Sequence, residues 1–238
     1  MSGPKSMNGP KSKCGICPRG CDIPEGATGF CRARANVSGR VVCKNYGLLT
    51  ALALDPIEKK PLARFMPGSM ILSAGSFGCN LRCPFCQNHS ISMSDGEGAR
   101  LARYTPEALA LVPRGNIGLA YTYNEPLVGY EFVMSAAAAV RGAGLKNVVV
   151  TNGFIQKEPL IGLLPLIDAM NIDLKGFTEG FYSWVGGGLA DVMRSIELAA
   201  ARCHVEVTTL IIPGRNDSED EMARLAGWLA GIDRGIAL

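Results

Sequence analysis

The segment "GCNLRCPFCQN" at 78–88 places three thiols, Cys79, Cys83 and Cys86, in the spacing C-x3-C-x2-C. Thiolates are soft ligands that suit zinc or iron–sulfur clusters. A closed structural zinc site takes four ligands, and a [4Fe–4S] electron carrier is usually held by four cysteines. Three thiols leave two readings. In the first, His89 supplies the fourth ligand of a Cys3His zinc site. In the second, a [4Fe–4S] cluster has three irons held by the protein and one left open. An open coordination position is what lets a metal site bind a substrate or cofactor directly. A methionine amine and carboxylate could chelate that iron, setting a sulfonium where one electron would break its C–S bond.

A second group, Cys14, Cys17, Cys21 and Cys31, follows the spacing C-x2-C-x3-C-x9-C. Four ligands in one short polar segment make a closed site. Zinc there would staple a piece too small to have its own core, and a second iron–sulfur cluster would add an electron relay. Cys43 is an alternative fourth member. Cys203, at the end of an apolar helical stretch, reads as a small buried residue.

The elements that must position these thiols follow from the texture of the chain. Residues 1–13, rich in Gly, Pro, Ser and Lys, read as a disordered tail, and 14–43 as a cysteine-rich metal-binding knuckle. Residues 44–69 read as a connecting segment of a strand and turns. Within it Asp55, Glu58, Lys59 and Lys60 read as a solvated turn rather than a substrate surface. From about residue 70, short apolar runs alternate with helical stretches: strands at 70–78, 116–123, 146–152, 169–175 and 204–212, and helices after Thr105-Pro106, at 126–144, across "EPLIGLLPLI", at 189–203 and at 218–231. Thr105 before Pro106 is a helix start with a cap residue and proline at the first helical position. Strands alternating with helices imply parallel βα units, and five are complete. The last residues, "GIAL", begin a sixth strand. The expected fold is α/β: a partial (β/α)6 TIM-like barrel over 70–238, truncated at the sixth strand, with a small N-terminal cysteine-rich segment. Such barrels place their chemistry at the C-terminal ends of strands. Cys79, Asn124 with Glu125, Thr151 with Asn152, and Asp173 with Lys175 fall at the ends of the first four.

Composition narrows the class. The 238 residues are 47% apolar and 19% charged, with nine cysteines and a net charge of +3. That charge is too mild for a nucleic-acid partner. The N-terminus has no apolar signal region, and no run of about eighteen apolar residues offers a membrane span. The expectation is a cytoplasmic protein whose reduced thiols bind metal rather than pair.

The C-x3-C-x2-C loop with Phe85 before its last cysteine, set after a first strand, resembles the signature of the radical S-adenosylmethionine (SAM) enzymes. The resemblance extends through residues 70–217. "YNEP" stands where that superfamily has a Gly-Gly-Glu type motif, so Asn124 and Glu125 inherit the hold on the cofactor's amino group, with Tyr123 and Asn124 departing from the glycines. "VVVTNGF" and "NIDLKGF" resemble segments of the pyruvate formate-lyase activase group. This implies that Thr151 and Asn152 meet the ribose, Lys175 the methionyl carboxylate, and Asp173 a ribose or donor group. "LIIPGRND" resembles the segment that flanks the adenine. "CQN" with "DPIEKKPL" and the N-terminal knuckle looks like the AmmeMemoRadiSam branch.

The resemblance implies a [4Fe–4S] cluster and SAM as cofactors. It also implies an electron donor such as a flavodoxin or ferredoxin, and reductive cleavage of SAM to a 5′-deoxyadenosyl radical that abstracts hydrogen. The implied substrate class is a glycine Cα–H in a glycyl radical enzyme, with other substrates open. The competing class is a non-catalytic zinc-binding or iron–sulfur electron-carrier protein.

Overall fold

The computed structural model describes residues 10–112 and 115–238. Residues 1–9 of the expected tail lie outside the described residues. The remainder of that tail is ordered: β1 (Lys11–Lys13) pairs antiparallel with β2 (Asp22–Pro24). A second hairpin, β3 (Arg34–Val37) with β4 (Arg40–Cys43), follows, and Ser38 and Gly39 carry its turn at positive φ. The cysteine-rich segment is thus two small hairpins. Short β5 (Leu48–Leu49) pairs with β8 (Ala102–Arg103).

The main sheet has six strands. β7 (Met70–Gly75), β9 (Gly118–Thr122), β10 (Lys146–Thr151), β11 (Ala169–Asp173) and β12 (His204–Thr208) run parallel in that order. At the first edge, β6 (Ala51–Pro56) pairs antiparallel with β7 along its whole length. At the other edge Ala237 makes a parallel bridge to Glu206, and the Val207 amide donates to the Ala237 carbonyl at 2.9 Å. This is the start of the sixth parallel strand that "GIAL" suggests. The last parallel strand is shorter than expected. It ends at Thr208, and Leu210 and Ile211 beyond it are exposed rather than core.

Helices cover the outer face: α2 (Pro106–Leu111), α3 (Tyr130–Gly142), α4 (Lys157–Leu163), α5 (Glu179–Val185), α6 (Leu189–Ala200) and α7 (Glu219–Ile232), with α1 (His89–Ser92) a single turn after the cysteine loop. Leu189, Val192, Ile196 and Ala199 recur at helical spacing on α6 and are buried. Burying each large apolar side chain contributes ~1.5–3 kcal/mol. Side-chain caps fix the starts. Thr105 Oγ1 accepts from Ala108 N, Thr178 Oγ1 from Phe181 N and Ser218 Oγ from Glu221 N, each at 3.2 Å. The parallel strands are largely buried on both faces, so their apolar runs are continuous, whereas the edge strand Ala51–Pro56 is open on one side.

The inner face of the sheet is filled from within by the connecting segment. Ile57 and Leu62 pack on Ile71, Ala120, Val148 and Ala169. Glu206, on β12, accepts from the backbone N–H groups of Ala63 and Arg64 at 2.8 Å each, and Asn171 donates to the Pro61 carbonyl at 3.0 Å. The sequence reading of a solvated turn is corrected here. Glu58 and Lys59 are exposed, but Lys60 is 2% exposed and pairs with Asp55 at 2.8 Å. Tyr123 Oη donates to the same carboxylate at 2.7 Å, and the Lys60 ammonium lies 4.8 Å from the Tyr123 ring centre. An ammonium is tolerated in such a place only when paired.

Candidate active site

The three-cysteine loop leaves β7 through Ser76, Phe77 and Gly78 and is fastened on both sides to the end of β9. Asn124 accepts from Ser76 N at 2.9 Å and donates to the Gly78 carbonyl at 3.0 Å, immediately before Cys79. After Cys86, Asn88 donates to the Tyr123 carbonyl at 2.8 Å. Tyr123 itself adopts φ +71°, and its ring lies where a Cβ on Gly75 would sit, 2.6 Å from the Cδ2 atom. A bulky residue in the left-handed region is costly, and this strand end carries one beside the loop.

α5 supports the loop from the other side. Phe85 stacks on Trp184 (centroids 5.5 Å) and Phe181 (6.2 Å), and the Arg82 amide donates to the Val185 carbonyl at 2.8 Å. Tyr182 Oη accepts from Lys175 N at 3.1 Å, so the same helix fixes the end of β11. Sequence reasoning missed α5. Thr178 before Glu179, and Gly186 at φ +77° as a left-handed stop, were its signals.

The predicted residues form one connected cluster. Glu125 is 3% exposed, and its carboxylate accepts from Leu127 N at 3.0 Å, Thr151 Oγ1 at 2.7 Å and Asn152 N at 2.8 Å. Burial pushes this carboxyl up to about 7, against those three donors. The Asn152 amide donates to Asn80 Oδ1 at 2.9 Å and reaches Cys79 Sγ at 3.7 Å. Lys175 Nζ binds Asp173 at 2.7 Å. Its ammonium acts on the Cys79 and Cys83 thiols, lowering both, while burial raises them, Cys79 to about 12. Cys86 Sγ lies 3.5 Å from Ser92 Oγ.

His89 is exposed. Among the described residues no three His, Cys, Asp or Glu side chains are placed to hold one metal ion. A multi-iron cluster would take each of the three thiolates on a different iron. Soft thiolates beside a lysine ammonium, on a loop pinned at both ends, fit such a cluster.

Two residues that the sequence reading did not single out connect this loop to the N-terminal cysteines. Arg19 Nε donates to the Asn80 carbonyl at 2.8 Å, and its guanidinium also bonds the Gly186 carbonyl. Asn80 is 3% exposed, with its amide donating to the Phe154 carbonyl at 2.7 Å. Its place between two cysteines of the motif was the available signal.

Comparison with known proteins agrees with this geometry. Residues 75–226 match the family model of the radical SAM superfamily, and the chain belongs to it. It is 43% identical over 215 residues to "Uncharacterized protein MJ0808" of Methanocaldococcus jannaschii, covering 89% of this chain and 64% of that one. The chain therefore spans less than two thirds of that relative's length. It is 23% identical over 163 residues to the pyruvate formate-lyase-activating enzyme of Clostridium pasteurianum, covering 65% of this chain and 67% of that one. Streptococcus suis SuiB bound to S-adenosylmethionine superposes with a TM-score of 0.52 at 14% identity, over 66% of this chain and 36% of that chain, a likeness of fold. Membership implies a [4Fe–4S] cluster and SAM. Among the described residues no helix is long and apolar enough to cross a membrane.

Proposed function

We propose that this chain is a glycyl-radical-enzyme-activating type of radical SAM enzyme, whose [4Fe–4S] cluster is held by Cys79, Cys83 and Cys86. The bound cluster and SAM supply the chemistry: one-electron reduction of the sulfonium, giving methionine and a 5′-deoxyadenosyl radical that takes a hydrogen atom from the substrate. The proposed substrate class is a glycine Cα–H in a partner enzyme, and the electron comes from a flavodoxin or ferredoxin. The setting is the reducing cytoplasm. The likeness to an activating enzyme supports the substrate class. The observation that carries the reading is the meeting of Cys79, Glu125, Asn152 and Lys175 at the C-terminal ends of neighbouring parallel strands.

The chain's own residues hold and orient. Lys175, kept charged by Asp173, offers an ammonium to a carboxylate beside Cys83. Glu125 has three of its roughly four acceptor positions filled by the chain, leaving one for an incoming ammonium. That ammonium would favour the ionised carboxylate and pull its raised pKa down. Thr151 and Asn152 steady Glu125 and edge the ribose. Phe85, stacked on α5, shields the loop from water. Asn124 spends both amide hydrogens on the Gly78 and Glu125 carbonyls, so its part is to position the loop rather than to grip the amino group. The N-terminal thiols are proposed as a second metal-binding group.

The test is to reconstitute the full chain anaerobically with iron and sulfide, reduce it with dithionite, add SAM and assay 5′-deoxyadenosine. The expected result is brown protein that forms it, and loss of the product in Cys83→Ala and Lys175→Met. A colourless zinc protein, or a cluster-bearing protein that leaves SAM intact, overturns the reading.

A further inference from the structure

Cys14, Cys17, Cys21 and Cys31 line one recess, shared with Arg19 and Arg34. Three of the four are buried and Cys21 is partly exposed. Cys43 stands apart, with its sulfur donating to Asn45 Oδ1 at 3.0 Å. Four thiols around one recess are the ligand number of a [4Fe–4S] cluster, each thiolate meeting a different iron. Two arginines line the recess, and among the described residues the charge of Arg19 is not paired with a carboxylate. Arg34 is anchored there by paired hydrogen bonds to Glu131 at 2.6 and 2.7 Å.

The recess also abuts the three-cysteine loop. The Asn80 carbonyl accepts from Nε of Arg19, which lines the recess, at 2.8 Å. The Asn80 side-chain oxygen accepts from Asn152 at 2.9 Å, and that same Asn152 nitrogen lies 3.7 Å from Cys79 Sγ. Contacts thus run from Arg19, between Cys17 and Cys21, through Asn80 and Asn152 to Cys79. The backbones touch as well. Gly78 is at φ +89°, and a Cβ there would lie 2.5 Å from the Cys31 carbonyl oxygen.

We propose that Cys14, Cys17, Cys21 and Cys31 bind a second iron–sulfur cluster, joined to the Cys79 loop through Asn80, as the entry point for electrons. The second site stands on its own residues; the electron's destination rests on the reading of the loop given above. One electron leaves a low-potential carrier protein, crosses the N-terminal site and arrives at the loop site. The carrier is oxidised by one electron, the loop site is reduced by one, and no bond or proton changes hands.

The experiment compares three full-length chains reconstituted anaerobically with iron and sulfide: the unaltered chain, Cys79→Ala/Cys83→Ala/Cys86→Ala, and Cys14→Ser/Cys17→Ser/Cys21→Ser. The loop variant keeps the whole N-terminal site, so its result does not depend on the other variant folding. It should retain about four irons per chain, a brown colour and a paramagnetic signal on reduction, and the unaltered chain should hold about eight. The reduced unaltered chain should give an electron paramagnetic resonance spectrum that differs from the sum of the two single-site spectra, through magnetic interaction between neighbours. A loop variant that binds one zinc, or no metal, overturns the second cluster. A spectrum equal to the sum overturns the coupling. Iron in the loop variant with none in the N-terminal variant supports the second site and sinks the loop reading instead.

Discussion

Asn88 donates its side-chain amide to the Tyr123 carbonyl at 2.8 Å, tying the residue two places after Cys86 to the end of a parallel strand. Asn124 does the same for the approach to Cys79. Asn124→Ala removes an acceptor from Ser76 N and a donor from the Gly78 carbonyl, leaving buried polar groups unmatched at ~1–3 kcal/mol each. Iron retained after anaerobic reconstitution is expected to fall to less than half in Asn124→Ala and by a smaller fraction in Asn88→Ala. Equal retention in both variants and the unaltered chain would show that neither amide positions the loop.

Glu125 gives a pH signature. Its folded-state carboxyl is raised by burial to about 7 from an ordinary value of 4.5. Between those values the folded chain binds a proton that the unfolded chain has lost, so stability falls as pH rises through this window. From pH 5.5 to 8 the loss amounts to about 2 kcal/mol from this group. Urea denaturation should show Glu125→Gln free of that loss. Parallel pH profiles for the two proteins would contradict it.

Gly78→Ala tests the contact between the two cysteine segments. Its φ of +89° disfavours any side chain, and the new Cβ would meet the Cys31 carbonyl oxygen at 2.5 Å and the Ala33 Cβ at 2.8 Å. A loss of roughly 2 kcal/mol or more is expected. Proteolysis should cut residues 14–43 faster in the variant, whereas a change confined to the barrel would speak against docking at this point.

Asp55 and Lys60 make a buried pair whose partners are unequal in what their loss would do. Asp55→Ala strands a buried ammonium and is expected to cost about 3–5 kcal/mol, while adding Lys60→Met should recover most of it. Asp55 is held at about 2 by Lys60 and Tyr123, against burial. Its contribution is therefore present above pH 4 or so and lost as pH falls toward 2. Additive losses in the double variant, read from denaturation midpoints, would dismiss the pair.

The parallel strands were legible because Val, Ile and Leu runs between Gly and Pro leave few alternatives, as in "KNVVVTN", where Lys146–Thr151 is the strand. The place of the thiol loop, directly after the first parallel strand, follows from the apolar run before it. Lys60 was misread because charge density in "IEKK" signals solvent, and nothing local reveals that the segment turns inward against Glu206, 146 positions later. α5 was hidden because Gly180 and three aromatics blur its helical pattern. Asn124 was read as a cofactor contact, and only the fold shows that its amide is engaged by Ser76, Gly78 and Glu125.

Ile57 and Leu62, seated against the inward side chains of the parallel strands, give the barrel a solid floor. These two side chains close the inner face near the starts of Ala169–Asp173 and Lys146–Thr151, at the end away from the cysteine loop. The approach that stays open to the thiols is the one on their own side of the sheet.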